Sequence, residues 1–310
     1  MSVTDDQPTE IRAVSADRRA DAFALVCSRL PVAQRQQQVA AWLAAVASGE
    51  LSRQGLLGAY QSGRLVGAVL AQLQPGRTAT VWVPRVVPDE AATIARQLLD
   101  AAADWLANHR VCVAQVHLPS ERHADDGLLR AGGFDRLTDL LYLACAEDQF
   151  PSHLPTSPLQ FEAYSVANHQ RLARMVEATY EQTRDCPELD GVRETEDVLA
   201  GYRATGQFDP ARWLIARHAD EDVGCLLLAD HAEHDNWELV YMGVAAAHRG
   251  HGWGLDIARH AQWLTRQAGR RRLVLAVDAE NEPATRMYAA VGFRAWERRG
   301  VYLKVFGRSS

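Results

Sequence analysis

Residues 244–254 read VAAAHRGHGWG, a strand end that runs into Gly250, Gly252 and Gly254 and then into a helix-forming stretch beginning near Gly254. Glycine admits positive φ and lets the backbone approach a ligand closely. The first amides of a helix have no intrahelical acceptor, so an anion placed there gains both those donors and the helix dipole. The stretch therefore reads as a phosphate cradle. It is not a nucleoside triphosphatase loop, because Gly254 is followed by Leu255 and Asp256 and not by Lys with Ser or Thr. Nor does RxxGxG supply the GxGxxG of a dinucleotide fingerprint.

The pattern continues on both sides. Upstream, WELVYMGV (237–244) reads as a strand; downstream, Ile257, Ala258, Ala261, Leu264 and Ala268 mark one helical face. A second apolar strand at 273–277 opens VLAVDAENEPATRMYAAVGF (274–293), in which Asn281, Ala284, Tyr288, Gly292 and Phe293 stand in the spacing NxxAxxxYxxxGF. RxxGxG followed by this spacing resembles the acetyl-CoA site of the GNAT acetyltransferase superfamily. The resemblance covers the 60 or so residues of 237–293 and implies an α/β fold with a mixed central sheet flanked by helices.

Composition is compatible with that fold. The chain has 310 residues, 47% hydrophobic, a formal charge of −6, and five cysteines with no CxxC pair. Such length predicts two domains. The charge supplies no general drive toward nucleic acid or anionic membranes. Scattered cysteines, a polar acidic N-terminus and no apolar run of membrane-span length predict a cytoplasmic protein in a reducing compartment.

PSHLPTSP (151–158) has the composition of an extended linker, which places a domain at 1–150 and another at 159–310. Both halves predict the same order: strand, helices, a three-strand run, helix, strand, short helix, Gly-Phe and a final strand. In the first half the predicted strands are 10–14, 55–60, 64–73, 78–83 and 111–118, with helices at 17–30, 32–47, 90–108 and 125–131. In the second, strands at 159–164, 213–217 and 223–229 surround a helix at 166–183. The chain is thus expected to hold two tandem GNAT folds, a layout similar to that of the mycothiol synthases, which acetylate the amine of a small cysteinyl pseudodisaccharide.

The halves differ at the cradle. Where the second reads RGHGWG, the first reads PRVVPDEAAT, with Pro84 and Pro88 and no glycine. Leu129 and Arg122 stand where the second half has Tyr288 and Asn281. The first domain is expected to be non-catalytic.

For the second half the resemblance implies acetyl-CoA as the acyl donor, with no metal. The main chain of Met242, Gly243 and Val244 would pair with the pantetheine arm and thioester carbonyl. Backbone groups of Arg249, Gly250, His251, Gly252, Trp253 and Gly254 would hold the pyrophosphate, with the Arg249 side chain adding charge. Tyr288 would protonate the departing thiolate, and Glu238 would take the proton from an amine nucleophile. Strand alternation puts Glu238 on the face of Val240, Met242 and Val244. Asn281, before Glu282 and Pro283, suits a helix cap as well as a cofactor contact.

Asp230, His231, His234 and Asp235 have residue types that bind zinc, but they fall in a predicted hairpin turn at 230–236. The segment 181–209, with Asp185, Glu188, Asp190, Arg184, Arg193 and Tyr202, reads as a long polar loop that would face the acceptor. Cys186 within it has no role in direct transfer. The expected partner is a small-molecule or peptide amine; the other reading is a non-catalytic acetyl-CoA sensor.

Overall fold

The computed structural model describes residues 8–87, 92–120, 123–189 and 191–307. Arg122 and Asp190, singled out above, lie outside the described residues, as do Pro88 and Glu90.

The chain divides into two compact units, Met1–Arg136 with Val301–Ser310, and Leu137–Gly300. In the first, β1 (Glu10–Ala13) precedes α1 (Arg19–Val26) and α2 (Val32–Ser48). Next come the antiparallel strands β2 (Leu56–Gln61), β3 (Arg64–Gln74) and β4 (Thr78–Val86), then α3 (Ala92–Asn108), β5 (Val113–Pro119) and α4 (Asp126–Ala131). The helix α3 buries Ile94, Ala95, Leu98, Leu99, Ala102 and Leu106, the three-to-four spacing of a single stripe. Phe23 and Trp42 of α1 and α2 pack with Leu56 and Leu70 in a second layer.

The second unit repeats the order. It holds most of β6 (Asp135–Ala146), then β7 (Gln160–Ala163), α5 (His169–Tyr180), α6 (Thr195–Arg203), β8 (Trp213–His218), β9 (Glu221–His231) and β10 (Asn236–Val244). The glycine turn comes next, then α7 (Trp253–Gln267), β11 (Arg272–Asp278), α8 (Glu282–Ala290) and β12 (Arg294–Val305). Leu172, Val176 and Leu199 of α5 and α6 pack with Trp213 and Ile215 in one core layer. Ile257, Ala258 and Ala261 of α7 pack with Leu226, Leu228 and Leu275 in the other.

The division falls elsewhere than at 151–158. Those residues form neither helix nor strand, but they sit inside the second unit, and Phe150 and Leu159 at their two ends are buried in its core. The break comes within β6, whose residues Leu140–Ala146 pair with Asp278–Arg272 of β11. Likewise β12 begins in the second unit and ends, from Val301, in the first. A proline- and serine-rich run signals loss of regular structure, and packing is decided separately by the apolar residues around it.

The loop expected at 181–209 contains α6. Its Val198 and Leu199 are buried, and the stretch has Glu196 and Asp197 in its first turn and Arg203 in its last, the charge order that suits a helix dipole. Among the described residues no helix is long and apolar enough to cross a membrane.

Candidate active site

The strand β10 is not a regular strand. Leu239 pairs with Leu228 but Tyr241 pairs with Leu227, so an extra residue, Val240, is inserted as a bulge. The bulge resets the alternation: Trp237 and Leu239 before it, and Met242 and Val244 after it, all pack into the α7 layer. Tyr241 packs into the α5 layer. Glu238 therefore lies on the face opposite Met242 and Val244, contrary to simple strand alternation.

The parallel pairing of β10 with β11 runs over Asn236–Glu238 and Arg272–Val274. Past it a cavity of about 510 Å³ opens, bordered by Leu239–Val244 on one side and by Ala276 and Val277 on the other. The bulge bends β10 just past the end of this pairing. At Gly243 the opposite wall comes close: a Cβ there would stand 2.6 Å from the Thr179 side chain.

The cradle borders this cavity. Gly250 (φ 89°) and Gly252 (φ 78°) hold left-handed conformations that a Cβ would strain. Gly252 caps α7, its carbonyl accepting the amides of Leu255 and Asp256 at 3.0 and 3.4 Å. The amides of Trp253 and Gly254 open the helix and have no carbonyl one turn earlier to reach. Gly250, Gly252, Trp253 and Gly254 all border the cavity. His251 does not; its ring stacks on Trp253 at 4.8 Å.

The Arg249 side chain has a structural task. Its guanidinium donates to the carbonyls of Val244 (3.1 Å), Gln182 (3.1 Å) and Thr179 (2.9 Å). It thereby ties the end of β10 to the end of α5, and the residue also borders the cavity.

Tyr288 sits on α8, buried, at the cavity wall, with Phe293 edge-on at 5.3 Å. Burial pushes its phenol well above the ordinary tyrosine range, and the nearby Asp185 charge adds to the shift. The phenol is therefore protonated in the folded protein. Asn281 borders the cavity and also caps α8, its Oδ1 accepting the Ala284 amide at 3.3 Å. Both roles foreseen for it are geometrically open.

Glu238 is not part of the cavity wall. Its Oε2 and the Nε2 of His231 form a hydrogen bond of 2.8 Å. His231 is thus engaged by a carboxylate, while Asp230 pairs with Arg270 at 2.8 Å in two contacts. Among the described residues no group of His, Cys, Asp or Glu is disposed to hold a metal.

Three wall residues escaped the sequence reading as donor-side elements: Thr179, Thr183 and Met287. Asp185 was noted only as one acid in a polar loop, yet it also borders the cavity. Nothing in its local spacing marks it, because its placement depends on Asp278, 93 residues away. Cys186 is half-buried, and burial raises its thiol far above the range of a reactive cysteine.

Comparison with known proteins fits this geometry. The family model described as "Acetyltransferase (GNAT) family" matches residues 175–293. Mycothiol acetyltransferase of Corynebacterium glutamicum (strain R) is 36% identical over 110 residues, 36% of this chain and 37% of that protein. The protein of the same name from Corynebacterium efficiens is 35% identical over 85 residues. The chain spans only 37% and 28% of the length of these relatives. Among solved structures, a GCN5-related N-acetyltransferase from Sphaerobacter thermophilus gives a TM-score of 0.64 at 18% identity, covering 98% of this chain and 97% of that one. A tandem GNAT protein from the clavulanic acid biosynthesis pathway gives 0.54 at 17% identity, covering 98% and 100%. These solved structures share the fold over nearly all of the chain, and the segment that matches the GNAT acetyltransferase family, residues 175–293, holds every residue that borders the cavity.

Proposed function

We propose that the second unit transfers an acetyl group from acetyl-CoA directly to a primary amine. One observation carries the reading: a single cleft joins the bulged edge of β10, the glycine cradle opening α7 and the buried phenol of Tyr288. The main chain at Met242–Val244 would pair with the extended pantetheine arm. The amides of Trp253 and Gly254 would receive the pyrophosphate.

Tyr288 would give its proton to the thiolate as the carbon–sulfur bond breaks. Burial keeps the phenol protonated in the resting cleft, so a proton is in place beside the sulfur as the thiolate forms. Glu238 would take the amine's proton, with water bridging from the cavity because the carboxylate stands outside its wall. His231 orients that carboxylate. Arg249 contributes by fixing the cleft wall.

The first unit is proposed to have no catalytic role. At the end of β4 the Arg85 guanidinium makes two 3.1 Å hydrogen bonds to Asp125, just before α4, and Arg29 adds a third at 2.8 Å. Leu129 stands fully buried in the apolar core. By the order of elements these are the places of the cleft and of Tyr288.

The acceptor is proposed to be a small amine. Two mycothiol acetyltransferases are 35% and 36% identical to this chain over 85 and 110 residues, so an acceptor of the mycothiol kind is the first to try. The test is CoA thiol release from acetyl-CoA with a panel of amines, paired with calorimetric titration of CoA. Turnover with one CoA bound per chain is expected. Absence of amine-dependent release would overturn transfer, and two bound CoA would overturn the inactive first unit.

A further inference from the structure

The stretch after α5 is bent into the cleft and held there. Gln182 (φ 53°) and Cys186 (φ 46°) both take left-handed conformations that cost energy for a residue with a Cβ. Between them, the Thr183 amide donates to the Tyr180 carbonyl at 2.9 Å and the Asp185 amide to Thr183 Oγ1 at 3.0 Å. Arg249 holds the Gln182 carbonyl.

Asp278, at the end of β11, pins the other side. It is only 3% exposed. Its Oδ2 accepts the Cys186 amide at 3.1 Å, and its Oδ1 accepts the Thr138 hydroxyl at 2.6 Å and the Glu280 amide at 2.9 Å. Its own amide donates to Asp185 Oδ1 at 3.0 Å. Asp278 is thereby used up in shaping the loop.

Asp185 is not used up. Its Oδ2 accepts from no protein donor among the described residues, and the side chain borders the cleft. Water in the open cleft reaches it, yet the protein around it and the negative charge of Asp278 hold its carboxyl above the usual range. Arg184 also borders the cleft but makes no ion pair with Asp185 among the described residues. Asp185 and Tyr288 border the same cleft, and the Asp185 charge adds to the upward shift of the phenol. A strained loop that sets one carboxylate beside another, without a protein cation, costs stability that the fold does not recover by itself.

We infer that Asp185 receives the ammonium of the acceptor as it enters the cleft and so selects cationic amines over neutral alcohols and thiols. The inference rests on the acetyl-transfer reading above. Asp185 forms no covalent bond. The acceptor enters as R–NH3+, loses one proton through water toward Glu238, and attacks the thioester carbon with the freed lone pair. The carbon–sulfur bond pair leaves on sulfur, which takes the Tyr288 proton, and the second proton of the now acylated nitrogen passes through water to the Tyr288 phenolate, restoring the phenol.

The test compares the parent protein with Asp185→Asn and Asp185→Glu, using glucosamine, cysteine methyl ester, spermidine and an alanyl tripeptide as probes with saturating acetyl-CoA. Loss of a charged hydrogen bond predicts a rise of about 30-fold in the amine KM for Asp185→Asn, with kcat kept within about 3-fold. Asp185→Glu should recover part of the KM, and CoA affinity should stay at the parent value in both. Asp185→Asn should also melt at a higher temperature than the parent without ligand, because a carboxylate facing like charge has been neutralised. An unchanged amine KM overturns the inference alone. A collapse of kcat at unchanged KM overturns the binding role in favour of a proton-transfer role. A ligand-free Asp185→Asn protein that melts at or below the parent overturns the charge argument with no acceptor needed. Failure of the parent to acetylate any probe overturns the transfer reading itself.

Discussion

The end of β10 and the end of β4 occupy the same place in two copies of one order of elements, and they differ in the residues that come after the strand. After β10 the backbone turns through Gly250 and Gly252 and presents the start of α7 to a cavity. At the end of β4 stands Arg85, buried at 7% exposure and bound to Asp125, with Leu129 filling the core nearby. Both strands carry a register shift, β4 near Val83 and Pro84 and β10 at Val240. The two ends differ in what stands there: glycines and a helix start bordering a cavity after β10, and an Arg85–Asp125 ion pair at the end of β4.

The comparison breaks most sharply at α8. If the phenol is the feature that Leu129 lacks, Tyr288→Phe should lower kcat by about a thousandfold while CoA affinity stays within about twofold. Steady-state kinetics with calorimetry would show it, and an unchanged kcat would remove the functional contrast between Tyr288 and Leu129. In the first unit, Asp125→Ala strands the Arg85 guanidinium in the interior and should cost about 3 kcal/mol, read from the denaturant midpoint. A negligible loss would mean that the ion pair does not stabilise that end. At the cradle, Gly252→Val forces a β-branched residue to positive φ and should weaken CoA binding about 30-fold by calorimetry. Full affinity would put the pyrophosphate elsewhere.

The smallest effect concerns acid. Burial holds the His260 imidazole, stacked on Phe161 at 3.7 Å, down to about 4 from an ordinary 6.5. The neutral form is thus favoured in the folded protein. The stability it contributes is present above pH 6.5 and is lost as the pH falls through 4. His260→Gln should flatten that acid limb by a few degrees in melting temperature; an unaltered pH profile would show that the second unit's acid sensitivity lies with other groups.

Much of this was legible in the chain because the signals are short-ranged. Positive φ at Gly250 and Gly252, the Asn281 cap and the apolar stripe of α7 all depend on a few neighbouring residues. The expectations that failed depend on distant partners. The bulge at Val240 is defined only against Leu227 and Leu228 on β9, so alternation counted along β10 placed Glu238 on the wrong face. That the Arg249 guanidinium also donates to the carbonyls of Thr179 and Gln182, about seventy residues earlier, is likewise invisible in its local sequence. The helix α6 was within reach, since Val198, Leu199 and Tyr202 share a helical face, but the charges around them resembled those of a loop. The division within β6 was not, because it is set by pairing with β11.

That division orders the birth of the protein. The first unit draws in Val301 and the residues after it, which a ribosome reaches only after the whole second unit has been made. Its buried Tyr302 and Leu303 are then missing from a partly built core throughout synthesis of the other. The half that starts first is completed last, and truncation of residues 301–307 should damage the beginning of the chain before its middle.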